Sequence, residues 1–259
     1  MLLEEIVNLD KHPLTDVLFT VDCFETLNET GVLVLPDFIQ ESALAGMLAH
    51  AKAERDHAYF CTQTHSVYLT PPHPEFNDTH PANRLVTSSK GCICDDQVDD
   101  STALRGLYDA PEFRRFIARV TGQKAVHAYA DPLSSINVHY AENGQELGWH
   151  FDNSSFAITL LIQKPEAGSR FEYIKDLRDA DAGEMNYAGV AKLLNGKVKP
   201  EELNMEPGTL VLFRGRNSIH RVSPNESDTT RILAVLAYNS EPGVALSESA
   251  RITFYGRRG

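Results

Sequence analysis

Short runs of apolar and β-branched residues fill the second half of the chain. The runs from residue 125 onward are AVHAYA, SINVHYA, FAITLLI, RFEYI, TLVLF, ILAVLAYN and ARITFYG. Turn-forming pairs such as Asn143-Gly144, Pro207-Gly208 and Pro242-Gly243 separate them. Short runs bounded by Gly and Pro indicate strands, and a series of them predicts an all-β architecture. We therefore expect a mainly β protein with flanking helices, built on a jelly-roll, cupin-like double-stranded β-helix.

The first half of the chain shows a different pattern, with helical periodicity. Residues 31–39 predict a short strand and a turn, and residues 41–55 predict a helix because apolar residues recur there at the spacing of one helix face. A second helix is expected after Asp109, which can cap it, with Pro111 in its first turn and Gly122 just past its end. A further helical segment is predicted at about 186–195.

The segment from about residue 60 to 100 lacks either periodicity. It contains four prolines and the acidic cluster at 95–100, which favour a long functional loop or lid. The chain is expected to form one catalytic domain over 1–259, with a helical and loop part at about 1–124 and a β core at about 125–259.

Charge and composition exclude several function classes. The 24 basic and 36 acidic residues give a formal charge of −12, and no stripe of Lys or Arg could neutralise a phosphate backbone, so nucleic acid is not an expected partner. The acidic, interrupted start does not resemble a signal peptide, and no run reaches 18 apolar residues, so no membrane association is expected. We expect a cytoplasmic protein whose four cysteines are thiols. The one-residue spacing of Cys92 and Cys94 is too tight for a usual zinc site.

Candidate metal ligands occur in the string Gly-Trp-His-Phe-Asp, where His150 and Asp152 flank Phe151. In an extended strand, alternate residues point to the same side, so His150 and Asp152 can reach one metal while Phe151 packs on the other face. His220 follows 68 residues after Asp152, and we expect it to face the pair across the barrel mouth from a separate strand. Two imidazoles and one carboxylate are the donor set of a non-haem Fe(II) site that keeps three coordination positions open.

Arg231 stands 11 residues after His220, at the start of the run ILAVLAYN. Its planar, permanently charged guanidinium is suited to holding the distal carboxylate of a dicarboxylic co-substrate through two hydrogen bonds. Each feature alone is common, since His-x-Asp occurs by chance and an arginine at a strand edge is usually solvated. Their order along the chain favours a joint site.

The order His150-x-Asp152, His220, Arg231 resembles the 2-oxoglutarate/Fe(II) dioxygenase superfamily over about the last 120 residues. Asn83-Arg84-Leu85, the string Trp149 to Asn153, Gly168 to Tyr173 and the terminal Phe254 to Arg257 are similar to the BesD/HalD-like group, which hydroxylates or halogenates free amino acids. The resemblance implies Fe(II) as cofactor, and 2-oxoglutarate and O2 as co-substrates. Halogenases of that group have Gly where this chain has Asp152, so the resemblance implies a hydroxylase.

Residues for binding substrate and co-substrate are less sharply indicated. Arg84 is the candidate for a substrate carboxylate, with Asn239 as a polar helper on the face of the strand that begins at Arg231, although Arg84 is equally suited to a surface ion pair. Asn153 could contact substrate or turn the chain. Asn137 and His139 share one strand face and could contact 2-oxoglutarate, or serve as hydrogen-bonding residues of the barrel interior.

Three functions remain open on these residues. The first is hydroxylation of a small molecule, a free amino acid. The second is the same chemistry on a peptidyl side chain or a natural-product intermediate. The third is a catalytically silent, metal-binding β barrel that acts as a sensor or scaffold. Retention of all four motif residues disfavours the third.

Overall fold

The computed structural model describes all 259 residues as one eleven-stranded antiparallel sheet with seven α-helices. The helices are α1 (Leu3–Ile6), α2 (Val17–Thr30), α3 (Glu41–Glu54), α4 (Ala103–Asp109), α5 (Pro111–Thr121), α6 (Tyr187–Leu194) and α7 (Glu248–Tyr255). The strands are β1 (Val32–Leu35), β2 (Tyr59–Ser66), β3 (Leu85–Ile93), β4 (Ile136–Ala141), β5 (Leu147–His150), β6 (Ala157–Gln163), β7 (Phe171–Ile174), β8 (Glu201–Leu203), β9 (Leu210–Phe213), β10 (Ile219–Val222) and β11 (Arg231–Leu236). None of the helices is long and apolar enough to cross a membrane.

The sheet curls so that its two ends face each other. The strand order is β1-β9-β6-β11-β4-β3-β5-β10-β7-β8, with β2 paired to β3. Although β9 and β7 lie far apart in that order, the ring of Phe213 in β9 lies 5.2 Å from Phe171 and 5.5 Å from Tyr173 in β7. The sheet thus encloses an interior, which confirms the predicted jelly-roll core.

A large apolar core lies between helices α1 to α5 and the outer face of the sheet. It comprises 36 buried residues, including Phe113, Phe116 and Ile117 of α5. A separate cluster that includes Leu161, Phe213 and Leu233 fills one part of the sheet's interior. Because apolar side chains fill that part, only the remaining interior is open to a ligand.

The predicted helices at 41–55 and 186–195 are confirmed by α3 and α6. Helix α5 is also present and ends at Gly122, which takes the left-handed conformation with φ 73°. Its N-cap is Ala110 rather than the predicted Asp109, because Asp109 is still the last residue of α4 and binds Arg114. Helix α2, which was not predicted, begins where the Asp16 side chain accepts a hydrogen bond from the Phe19 N–H.

The prediction of a long loop over 60–100 was wrong. Strands β2 and β3 form a hairpin whose pairing runs without interruption from Tyr59 opposite Cys92 to Ser66 opposite Leu85. The residues of 60–100 outside these strands are the irregular loop at 67–84 and a short segment after β3 with one 3-10 turn at Asp95–Gln97. These strands are polar and partly exposed, so they have no apolar alternation, and backbone pairing holds them together. Three of the eleven strands thus come from the first 124 residues, and the β core extends beyond the expected 125–259.

Two of the strands predicted from residue 125 onward are absent. The run ARITFYG belongs to α7, because the Ser247 side chain caps the first turn and Gly256, at φ 72°, ends the helix. The run AVHAYA contributes a single bridge between His127 and Asn239. Ile252 and Phe254 of α7 are exposed, so the apolar residues of this run are not buried against a sheet.

Candidate active site

Two neighbouring strands bring the three candidate metal ligands together. His150 is the last residue of β5, Asp152 follows two residues later, and His220 lies in β10. Strands β5 and β10 are adjacent and antiparallel, with His220 directly opposite His150. The expectation that His220 faces the pair across the barrel mouth was therefore wrong: the two histidines are cross-strand neighbours.

The distances fit a shared metal ion. Oδ1 of Asp152 lies 3.6 Å from Nε2 of His150 and 3.7 Å from Nε2 of His220. The ligand atoms of all three residues lie within 4.8 Å of one another. Phe151 points away and stacks on Tyr68 with 5.4 Å between ring centroids, as the alternation of a strand requires.

Backbone carbonyl groups orient both imidazoles. Nδ1 of His150 lies 2.8 Å from the Gly148 carbonyl oxygen, and Nδ1 of His220 lies 3.1 Å from that of Ser218. An Nδ1–H that donates to a carbonyl leaves the Nε2 lone pair free for a metal. Burial, together with the neighbouring His220, holds the pKa of His150 well below its ordinary value, so its neutral, ligating form prevails.

The carboxylate of Asp152 is held tightly beside Gly215. The Asp152 N–H donates to the Gly215 carbonyl oxygen at 3.0 Å. Oδ2 of Asp152 is buried without a hydrogen-bond partner, and a Cβ at residue 215 would collide with that oxygen and lie 2.9 Å from Cε1 of His220. A buried carboxylate oxygen needs a partner, and the donor set of two imidazoles and one carboxylate is the one Fe(II) takes. The residues present thus fit Fe(II).

The three ligands border a cavity of about 890 Å³ inside the curled sheet. Arg231 lines it and is only 7% exposed, yet its guanidinium has no carboxylate or other acceptor within the protein. Burial alone lowers the pKa of Arg231 to about 10. A buried cation without a partner is costly, so this arrangement favours a bound carboxylate such as the distal end of 2-oxoglutarate.

His139 and Asn153 also line the cavity. A ring nitrogen of His139, Nε2, lies 2.8 Å from Nζ of Lys90. The backbone carbonyl oxygen of Asn153 accepts a hydrogen bond from Arg216, so the exposed side chain is left at the cavity edge. Both positions are compatible with ligand contact.

Arg84, Asn137 and Asn239 do not line the cavity. The guanidinium of Arg84 donates to the Leu194 carbonyl oxygen at 2.9 Å and to Oδ1 of Asn195 at 2.7 Å. It therefore caps the C-terminal end of α6, where a cation is favourable, and in this structure it contacts α6 rather than the cavity or a carboxylate.

The Asn137 side chain is hydrogen-bonded within the fold, whereas the side-chain amide nitrogen of Asn239 is buried without a partner. The Asn137 amide donates to the Leu133 and Ile136 carbonyl groups, and its oxygen accepts from the Tyr255 hydroxyl. Asn239 lies beyond the end of β11 at Leu236, so the alternation counted from Arg231 does not reach it. Asn137 is thus engaged within the fold in this structure, and a ligand contact of Asn239 stays a prediction.

Sequence reasoning missed several polar residues of the cavity. Lys90 and Ser88 of β3, His65 of β2 and Glu146 all line it. Nε2 of His65 lies 2.7 Å from Oγ of Ser88. The two-residue spacing of Ser88 and Lys90 was a signal, but it has meaning only once residues 85–93 are known to be a strand.

Comparison with known structures agrees with this fold. A 2-oxoglutarate/Fe(II) oxygenase-family oxidoreductase from Burkholderia pseudomallei has a TM-score of 0.54 at 15% identity, covering 87% of this chain and 92% of that one. The non-haem α-ketoglutarate-dependent epimerase SnoN gives 0.59 at 14% identity, covering 86% and 84%. A Pseudomonas putida prolyl-4-hydroxylase gives 0.51 at 12% identity, covering 83% and 96%. At these identities the likeness concerns the fold.

Among curated proteins, no sequence matches the chain. A model of the family described as Halogenase D matches residues 25–252, which include the three metal ligands and Arg231. The match spans most of the chain. The protein therefore belongs to the Halogenase D family, and its fold is that of the 2-oxoglutarate/Fe(II) oxygenases compared above.

Proposed function

We propose that the protein hydroxylates an unactivated C–H bond of a free amino acid, with Fe(II) as cofactor and 2-oxoglutarate and O2 as co-substrates. One observation carries the choice of hydroxylation: the Asp152 carboxylate lies within 3.7 Å of both imidazole Nε2 atoms. It thus occupies the coordination position that chloride would need in a halogenase. We also propose a cytoplasmic location, which the four free thiols support.

Different residues of the chain would hold the metal and the co-substrate. His150, Asp152 and His220 would bind Fe(II) on one side, and Arg231 would bind the distal carboxylate of 2-oxoglutarate. When bound, the Fe(II) and 2-oxoglutarate supply an oxidation in which decarboxylation to succinate and CO2 activates O2 for attack on a C–H bond.

Aromatic packing and the loop at 67–84 would keep the site ordered and dry. Phe213 and Phe171 pack against the His220 ring at 4.8 and 5.6 Å. Leu69 and Pro72 bring the loop over the cavity. The Asn83 side chain ties the loop to itself by hydrogen bonds with the backbone of His73 and Phe76. A site shielded from water orients one substrate bond and limits side reactions.

The cavity favours a small substrate. Its volume of about 890 Å³ lies within the range of roughly 300–1,000 Å³ typical of small-molecule sites, and 2-oxoglutarate must share it. A peptidyl side chain or a natural-product intermediate is the second candidate, because Leu69, Leu85 and Phe254 form an exposed apolar rim at the cavity.

The test is turnover with a panel of free amino acids, supplied with Fe(II), ascorbate and 2-oxoglutarate in air. Succinate is measured, and product masses are read by mass spectrometry. We expect one amino acid to gain a single oxygen atom with succinate formed in step. Succinate without any modified amino acid would redirect the search to peptides and natural products, and no succinate with any of these substrates would leave the scaffold function.

Chloride provides the test of reaction type. In the presence of chloride, the wild-type protein should release only hydroxylated product, whereas Asp152→Gly should lose most hydroxylation and gain a site for chloride at the metal. A chlorinated wild-type product, or wild-type hydroxylation by Asp152→Gly, would refute the role given to this carboxylate.

A further inference from the structure

The cavity contains a second cation that the assigned machinery does not use. Lys90 of β3 lines the cavity, and the only polar side chain bonded to its ammonium group is His139. No carboxylate lies within ion-pair distance of Lys90. Burial lowers the pKa of Lys90 below its ordinary value, so keeping a lysine here has an energetic cost.

His139 holds Lys90 in place as a hydrogen-bond acceptor. Burial and the adjacent Lys90 lower the pKa of His139, which favours the neutral imidazole. A neutral imidazole has one acceptor nitrogen, and Nε2, at 2.8 Å from Nζ, fills that role. An ammonium group has three N–H donors, so two remain for a ligand.

Lys90 and Arg231 stand on opposite sides of β4. Arg231 pairs with Ala141, and because Gly91 pairs with Tyr140, Lys90 stands opposite Ala141 from the other side. Two strand spacings of roughly 4.8 Å place their backbones on the order of 10 Å apart. On its other side β3 pairs with β5, the strand that ends at His150, with Ser88 opposite Leu147, so Lys90 lies on the strand between β4 and the metal-binding strand. The two cations therefore suit two different carboxylates.

An acidic side chain completes the arrangement. Glu146 directly precedes β5, four residues before His150, and lines the cavity. Its carboxylate forms no ion pair within the protein. Apart from Arg231, the cavity thus holds one unpaired cation and one unpaired anion, and this pair is complementary to a zwitterion.

From this geometry we propose that Lys90, positioned by His139, binds the carboxylate of the amino acid substrate. The Glu146 carboxylate would accept hydrogen bonds from the ammonium group of the same substrate. This assignment rests on the proposed function for its ligand class, and it gives Lys90 the role that the sequence suggested for Arg84. Arg231 remains the residue for 2-oxoglutarate.

The primary test is binding rather than turnover. Wild-type protein and Lys90→Met are loaded with Mn(II) and 2-oxoglutarate, and the paramagnetic broadening of proton NMR signals is followed for the twenty protein amino acids and their carboxamides. We expect the wild type to broaden at least one free amino acid and not its carboxamide. Loss of a charge-assisted contact should weaken that binding about 30-fold in Lys90→Met. Lys164→Met, which removes an exposed ion pair with Glu206, is the matched control and should bind like the wild type.

Two further measurements separate the alternatives. Calorimetric titration of 2-oxoglutarate into the Mn(II) protein should give the same Kd for Lys90→Met and wild type; a large increase would assign Lys90 to the co-substrate and overturn the proposal. Thermal unfolding of ligand-free Lys90→Met should give an equal or higher Tm, because an uncompensated buried charge is removed. A clear fall in Tm would mean that Lys90 stabilises the folded protein, and the proposal would be overturned.

Failure of the proposed function has a different signature. Lys90-dependent binding of an amino acid that is never oxidised would leave the carboxylate site standing and refute only the hydroxylase activity. If the wild type binds no amino acid, or binds acids and carboxamides alike, the assignment of Lys90 is overturned.

Discussion

The buried, unpaired charge of Arg231 has a free-energy cost that follows from its lowered pKa. Burial lowers its pKa from 12.5 to about 10 with no opposing contribution from a carboxylate. At about 1.4 kcal/mol per pKa unit, the charged side chain is destabilised by roughly 3 kcal/mol relative to water. Because the folded pKa of this base is depressed, the penalty applies throughout the pH range below about 10.

The substitution Arg231→Met removes the charge and keeps an unbranched side chain. We expect ligand-free Arg231→Met to be as stable as the wild type or more stable, by up to about 3 kcal/mol. In the wild type, a bound carboxylate would offset the roughly 3 kcal/mol cost of the buried charge. Loss of that contribution should weaken 2-oxoglutarate binding about 100-fold in Arg231→Met, while substrate affinity changes less.

The assays are titration calorimetry of 2-oxoglutarate into Mn(II)-loaded protein and thermal unfolding without ligand. Arg105→Met is the matched control: Arg105 donates to Oδ1 of Asp95 at 2.8 Å, so its removal should lower the Tm and leave 2-oxoglutarate binding unchanged. An unchanged Kd in Arg231→Met would mean that another residue holds the co-substrate. A large fall in its Tm would mean that contacts within the folded protein already stabilise the Arg231 charge, and the argument for a bound carboxylate would be wrong.

Two other predictions concern the metal ligands. His150→Ala or His220→Ala should abolish Fe(II) binding and succinate formation while circular dichroism stays that of the wild type; normal turnover in either would refute the triad. Gly215→Ala should weaken Fe(II) binding measured by equilibrium dialysis, because its Cβ displaces the Asp152 carboxylate. Its control is Gly46→Ala in α3, where a Cβ meets nothing within 4 Å, and equal Fe(II) affinity in both variants would contradict the close approach at Gly215.

The candidate metal ligands and Arg231, the residue proposed to hold the co-substrate, could be found from the sequence because their geometry is largely local. His150 and Asp152 are two residues apart, and strand geometry places both on one side. His220 and Arg231 each belong to an apolar run with clear turn signals. The match to the Halogenase D family over residues 25–252 confirms the expected group.

The sequence alone also determined the jelly-roll class, since repeated short apolar runs can bury their side chains only in a curled or doubled sheet. It did not determine the β2–β3 hairpin, whose polar residues have no periodic signal, nor the pairing of His220 with His150. Those depend on backbone hydrogen bonds between distant segments, which no local pattern encodes.

The remaining polar residues of the site were decided by tertiary structure. Arg84 has the chemistry to hold a carboxylate, but the end of α6, about 110 residues later, provides acceptors that occupy it. Lys90 lies in a segment without a helical or apolar signal, yet the pairing of β3 with β4 turns it into the cavity beside His139. A long cationic side chain binds whichever acceptor packing brings within reach, so its role depends on neighbours that are remote in sequence.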